Sequence, residues 1–308
     1  MSAVFAALLP VFLLIVMGVL LRRWLISDDA HWLGLERLLY YVMFPALLIG
    51  TLARADLTKV PVLAVGSTML ASVLLMATLC FALKPALTRF LASDGPAFTS
   101  LFQGATRWQT FIALPLAENL YGATGLALAS VALVAMTPAL NVFSVSVLVR
   151  YASVGTADWR SVLIGLARNP FIWACAIGAM LNPINSAIPL PIHTVIDALG
   201  RSSLALGLLI VGAGLRIEEL TQLKPLTLPA CVLKLIAMPA IALTIAYGLG
   251  LTGASLAVVA CCTAVPAASN SYILARQMGG DAPLMAQILT VQTALAAVTM
   301  PVVLSLVS

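Results

Sequence analysis

Of the chain's 308 residues, 62% are hydrophobic and only 9% charged, with a mean hydropathy of +1.09, so a soluble surface of ordinary polarity cannot be built. The formal net charge of +5 comes from Lys and Arg beside the apolar runs, and it gives no support to nucleic-acid binding. Cys80, Cys175, Cys231, Cys261 and Cys262 all fall inside apolar runs and His31 and His193 fall in loops, so no disulfide framework, metal site or His-based nucleophile is indicated and no cofactor is expected.

Crossing the hydrocarbon core takes about 20 apolar residues in a helix, and ten runs qualify: 4–22, 37–53, 60–82, 98–120, 124–149, 165–182, 198–215, 227–250, 254–277 and 283–306. They are continuous rather than alternating, which predicts helices and not barrel strands. No basic residue precedes the first run, and Arg22-Arg23 follow it at once. That order is the reverse of a cleavable signal, so the run is predicted to remain as span one. Loops after the odd-numbered spans carry Arg22, Arg23, Arg37, Lys84, Arg89, Arg150, Arg160, Arg168, Arg216, Lys224 and Arg276, whereas the opposite side carries Arg54, Lys59 and Arg201. This asymmetry predicts cytoplasmic odd loops and two periplasmic termini in a multi-pass protein of the bacterial inner membrane.

Spans four and nine are interrupted in the same manner. The first reads from Gly104 to Gly122 and carries Arg107, Gln109, Thr110 and Pro115; the second reads from Thr263 to Gly280 and carries Pro266, Ser269, Asn270 and Ser271. Paired interruptions in corresponding halves point to the substrate site of a secondary transporter. A shift of 160 residues lays Pro10 and Gly18 on Pro170 and Gly178, and a shift of 158 lays Gly122 on Gly280. Five spans per half is an odd number, so the second copy enters from the opposite side. The predicted fold is therefore an all-α polytopic membrane protein of two inverted five-helix repeats, 1–153 and 154–308, with broken helices in spans four and nine.

Proline at a break removes a donor and frees backbone groups that a polar ligand can satisfy. The half-helix after each break presents free N–H groups and a partial positive charge, and Arg107 adds a full one. Arg107, Gln109, Thr110, Pro115, Pro266, Ser269, Asn270 and Ser271 are thus the predicted substrate-binding set for a small organic anion, with helix–helix hydrogen bonding as the structural alternative for the small polar members. Asn141, Lys234, Gln287 and Gln292 are candidates behind them, and Lys234 alternatively snorkels to the cytoplasmic interface. All eleven carboxylates fall in loops or near span ends, which disfavours coupling through a central Asp or Glu.

Several strings resemble the auxin efflux carrier family, whose bacterial members include carriers proposed for malonate and other organic acids. They are Leu9-Pro10 to Gly18 and Leu20-Leu21-Arg22-Arg23, Tyr40-Tyr41-Val42 with Phe44-Pro45-Ala46-Leu47-Leu48, Leu114-Pro115-Leu116 with Tyr121-Gly122, Asn169-Pro170, and Val265-Pro266. The resemblance implies a scaffold of spans one, two, six and seven and a moving domain of spans three to five and eight to ten. Crossing breaks, elevator-type movement and a homodimer through the scaffold are implied with it. Where many relatives resemble Arg-Asn-Asn-Gly, this chain has Arg107-Trp108-Gln109-Thr110, which gives the pocket an indole wall. A sodium-coupled symporter like the bile acid carriers is the alternative. An intramembrane protease is remote, because Gly279-Gly280-Asp281 has no second intramembrane Asp, and no enzyme activity is expected.

Overall fold

A backbone in hydrocarbon must satisfy its own hydrogen bonds, and the chain does so with helices; there is no strand among the described residues. The computed structural model describes residues 2–55, 61–152 and 169–307. Lys59, Arg160, Arg168, Asp56 and Asp158, the 153/154 repeat boundary and the opening of the predicted sixth span lie outside them.

In chain order the elements are α1 (Ser2–Trp24), α2 (Asp29–Leu38), a π turn (Leu39–Met43), α3 (Phe44–Arg54), α4 (Val62–Leu91), α5 (Gly95–Thr106) and α6 (Thr110–Tyr151). There follow α7 (Pro170–Leu181), α8 (Leu190–Ala213), α9 (Thr227–Val232), a second π turn (Leu233–Ala237), α10 (Met238–Gly248), α11 (Gly253–Ala264), α12 (Asn270–Gln277) and α13 (Ala282–Ser305).

Seven stretches of the described residues are long and apolar enough to span a membrane, against ten runs in the sequence. The difference has a physical basis. Gly95–Tyr151 counts once but holds 57 residues, roughly 85 Å at 1.5 Å per residue, far more than one crossing of a ~30 Å core needs. Within it Tyr121 and Gly122 leave helical geometry, Gly122 at φ 57, and a Cβ on Gly125 would run into the Ala117 carbonyl, so the chain folds back on itself there. The ninth run stops after the 12 residues of α11, too short to cross alone. The seventh starts at Leu190 rather than 198, which puts Asp197 inside a helix instead of before it.

Two groups of helices pack around separate seams. In the first, α1 lies along α8, and α3 along both α7 and α8. Gly18 and Gly212 let the first pair approach to backbone contact, since a Cβ at either would collide with the Leu209 or Ile15 carbonyl. Gly178 of α7 sits likewise over the Ile49 carbonyl of α3. In the second group α4 packs on α6 and α10, α11 on α6 and α10, and α5 on α6 and α13. Buried Phe98, Phe102, Met69, Met76 and Leu114 fill its interior.

Candidate functional site

Arg107, Trp108 and Gln109 separate α5 from α6, and residues 265–269 separate α11 from α12. Each break follows from its proline, in two different ways. Pro266 lies in the second gap, and Val265 before it is extended at φ −65, ψ 152, as a residue preceding proline prefers. Pro115 is instead five residues inside α6. Lacking an N–H for the Phe111 carbonyl, it weakens the turn ahead of it, so the helix opens N-terminal to the proline rather than at it.

The two gaps meet. Gln109 donates its backbone N–H to the Pro266 carbonyl at 2.8 Å and its side-chain Nε2 to Ser269 Oγ at 2.6 Å. Arg107 Nη2 donates to Asn270 Oδ1 at 3.1 Å and reaches Asn141 Oδ1 at 3.5 Å. Behind them Gln292, wholly buried on α13, accepts from Ala267 N at 2.9 Å and donates to the Gly104 carbonyl at 3.0 Å and the Ala230 carbonyl at 3.1 Å. One amide therefore ties together α5, α9 and the second gap.

Arg107 is only 8% exposed, and its Nη1 has no hydrogen-bond partner among the described residues. The guanidinium faces a cavity of about 130 Å³ shared with Tyr40, Trp108, Thr110, Asn141, Asn169 and Asn270. A second cavity of about 260 Å³ adjoins it, bounded by Tyr40, Trp108, Thr110, Phe171, Ala268 and Asn270 in common and extended by Gln109, Ser269, Glu36 and Arg37. The amino-terminal turn of α6, whose first N–H groups lack helical acceptors, opens onto both through Thr110. A planar cation, donor-rich backbone and side-chain amides around an aromatic-walled space are suited to a carboxylate with an apolar body.

Of the predicted set, Arg107, Gln109, Thr110, Ser269, Asn270 and Asn141 line these cavities. Pro115, Pro266 and Ser271 are buried and line neither; Pro266 acts through its carbonyl. Gln292 serves as the bridge behind the crossing. Gln287 lies elsewhere, holding the segment before α9 by accepting from Lys224 N at 2.9 Å and donating to the Gln222 carbonyl at 2.8 Å. Lys234 is fully buried and does not snorkel. Tyr40, Phe171 and Asn169 were missed as wall residues; Tyr40 and Asn169 stand in the Tyr40-Tyr41 and Asn169-Pro170 strings and Phe171 follows the second, but span two and span six approach the breaks only in three dimensions.

A third cavity of about 210 Å³ is lined from other residues by Arg54, Glu118, Asp197 and Arg201. There Arg54 pairs with Asp197, Nη1 to Oδ2 at 2.8 Å, tying α3 to α8.

Residues 156–304 match the family model described as membrane transport protein. No curated protein matches the chain.

Proposed function

For a chain that belongs, through residues 156–304, to the auxin efflux carrier family of membrane transport proteins, we propose secondary transport of a small organic anion, a malonate-like or auxin-like carboxylate, by elevator-type alternating access. The family is one of transporters rather than enzymes, and several apolar helices make the chain a multi-pass membrane protein. The observation that carries the anion is Arg107: buried, at the crossing of two interrupted helices, with an Nη1 that has no hydrogen-bond partner among the described residues. An intramembrane arginine is costly unless it has a task, at ~2.5 to 3.5 kcal/mol on insertion scales.

In this reading the carboxylate sits between the Arg107 guanidinium and the start of α6, and Asn141 and Asn270 hold the guanidinium in plane. Trp108, Tyr40 and Phe171 cover the substrate's apolar part, while Gln109 and Ser269 fix the two gaps to each other so that both move as one body.

Packing supports the two inverted five-helix repeats, 1–153 and 154–308. Span one packs on span seven at Gly18, and span six on span two at Gly178. Exchanging the halves turns one contact into the other. The same four spans would form the scaffold and the homodimer contact, with spans three to five and eight to ten carrying the site past it. Cavities on different residues, one group near Arg37 and the other near Arg54, suit a pathway with two mouths. Both termini are assigned to the periplasm of the bacterial inner membrane on charge alone.

The test is a thermal-shift series of small mono- and dicarboxylates on purified protein. A ligand at 100 times its dissociation constant adds about 2.7 kcal/mol of stability. Arg107→Gln is expected to stay folded and lose that shift, and Arg107→Lys to recover part of it because the planar fork is gone. An unchanged shift in folded Arg107→Gln removes Arg107 from the site. A shift that requires sodium in the wild type favours the symporter alternative.

A further inference from the structure

Behind Arg107 stand four buried polar atoms that the anion site does not use. Gln103 Nε2 and Oε1, Ser144 Oγ and Ser271 Oγ make no hydrogen bond among the described residues, and the three residues are each 0% exposed. They lie on α5, α6 and α12 and line none of the cavities described above. Helix register brings them to one level. Thr99, Gln103 and Arg107 follow one another a turn apart from α5 into the gap, with the Arg107 N–H still bonded to the Gln103 carbonyl at 2.9 Å. Asn141, Ser144 and Leu148 share a face of α6; Asn270 opens α12, on which Ser271 and Ala275 share a face. On one side of this level Arg107 bonds Asn270 at 3.1 Å and reaches Asn141 at 3.5 Å. On the other side a Cβ at Gly280 would lie 3.0 Å from Thr99 Oγ1, 3.1 Å from Leu148 Cδ2 and 3.2 Å from Ala275 Cα, so those three surround one point. Gln103, Ser144 and Ser271 therefore sit between two levels at which the same three elements meet.

The set mixes donors with acceptors, since an amide supplies both and a hydroxyl is both. A metal cation there would stand about one turn from the Arg107 guanidinium, near enough for like charges to repel in a buried layer. A small anion would face the lone pairs of Gln103 Oε1. Water both gives and accepts, and buried waters characteristically bind polar groups that the protein leaves unpaired. The arginine needs it as well. No carboxylate among the described residues stands at either level, and Arg276, beside Ala275, is exposed and of the same sign. A guanidinium has more N–H donors than Asn141, Asn270 and one carboxylate accept from, and a buried charge short of solvation and partners is costly.

We infer that this layer is a buried hydration site: ordered water held by Gln103, Ser144 and Ser271 solvates Arg107 from behind and keeps the guanidinium charged and in plane between visits of the anion. Gln103, Ser144 and Ser271 are then positioning residues, acting on the anion through water and Arg107 without touching it. Ser271, which lines neither cavity of the anion site, gains its place this way. The effect on the anion rests on the carrier reading; the hydration does not.

The experiment has one arm for each. In the first, purified wild type receives short X-ray pulses, which make hydroxyl radicals from bound water where it lies, and oxidised side chains are located by mass spectrometry. Leu148, 0% exposed and next to the layer, is expected to be oxidised, whereas Met76, equally buried and intrinsically easier to oxidise, is not. Gln103→Leu combined with Ser144→Ala is expected to abolish the labelling of Leu148. Wild-type Leu148 left unlabelled, or labelled no more than Met76, overturns the inference. So does a Gln103→Leu protein that melts higher than wild type, because removing a stranded amide relieves the fold. Sodium or chloride that stabilises wild type saturably and Ser144→Val not at all puts an ion in the layer and overturns it too. In the second arm the affinity for malonate is read from the concentration dependence of its thermal shift. Ser144→Val is expected to bind about tenfold more weakly, and Ser144→Thr, equal in bulk with the hydroxyl kept, to recover most of that loss. Equal affinities in the two variants overturn the positioning role. Malonate that does not shift wild type counts against the carrier's substrate and leaves the first arm to decide the layer.

Discussion

Replacing Gln292 by leucine isolates the bond network that holds the crossing together. The side chain is wholly buried and makes three hydrogen bonds, to Ala267 N, the Gly104 carbonyl and the Ala230 carbonyl, at 2.9, 3.0 and 3.1 Å. Inside membrane bundles such bonds average about 0.6 kcal/mol each, so three give a floor near 2 kcal/mol. Leucine also strands the Ala267 N–H, which has no helical acceptor because it sits in the gap, and a stranded buried group costs about 1 to 3 kcal/mol. The sum is roughly 3 to 5 kcal/mol, or a midpoint lower by about 6 to 20 °C at 2 to 4 °C per kcal/mol. The assay is the apparent melting temperature in detergent by tryptophan emission, at one scan rate because such unfolding is commonly irreversible. Gln292→Glu keeps the acceptor for Ala267 but loses both donated bonds and places a carboxylate against two carbonyls, so it should fall at least as far. A Gln292→Leu protein within about 1 °C of wild type would refute the reasoning and reduce the bridge to a coincidence of packing.

Gln109→Ala and Asn270→Ala each remove a contact at the gap without removing a helix, so transport of a bound carboxylate should fall at least tenfold while melting shifts by less than about 4 °C; equal loss of both would make these residues structural. Gly212→Ala drives a methyl into the Ile15 carbonyl and Gly18→Ala into that of Leu209, and each should destabilise by about 1 to 3 kcal/mol, whereas Gly34→Ala, with open space around it, should be neutral in the same melting assay. In a cysteine-free background Ala268→Cys, on the wall of both cavities, should react with a soluble maleimide, and Ala113→Cys, fully buried with its carbonyl facing Cys261, should not; the reverse pattern would place the pathway elsewhere. A periplasmic reporter fused at Ser308 should be active and one after Arg160 inactive, while a cytoplasmic Ser308 would dissolve the inverted repeat.

Composition and the length of apolar runs settled the class of molecule, because hydrocarbon leaves a helix as the way to satisfy a backbone that does not close into a barrel. The position of the second break was legible too: Val265-Pro266 both removes a donor and extends the residue before it. The first break lies at Arg107–Gln109, ahead of Pro115, since a proline inside a helix disturbs the turn before it and tertiary contacts choose where that turn opens. The polar residues of both gaps could be picked from sequence as isolated donors and acceptors in apolar text, which is why Arg107, Gln109, Ser269 and Asn270 were found. Their pairing could not. The bond from Gln109 to Ser269 joins residues 160 apart in the chain, and nothing local in either segment encodes the other. For the same reason Gln287 and Gln292, five residues apart on one helix and alike in the sequence, divided into a loop staple and the bridge at the crossing. Lys234 shows the limit most clearly, because a lysine eight residues into an apolar run reads as a snorkelling side chain until the neighbouring helices enclose it. Periodicity records how much of a helix is apolar; which helix lies beside it, and so whether a charge meets water, another charge or a closed apolar interior, is decided by packing alone.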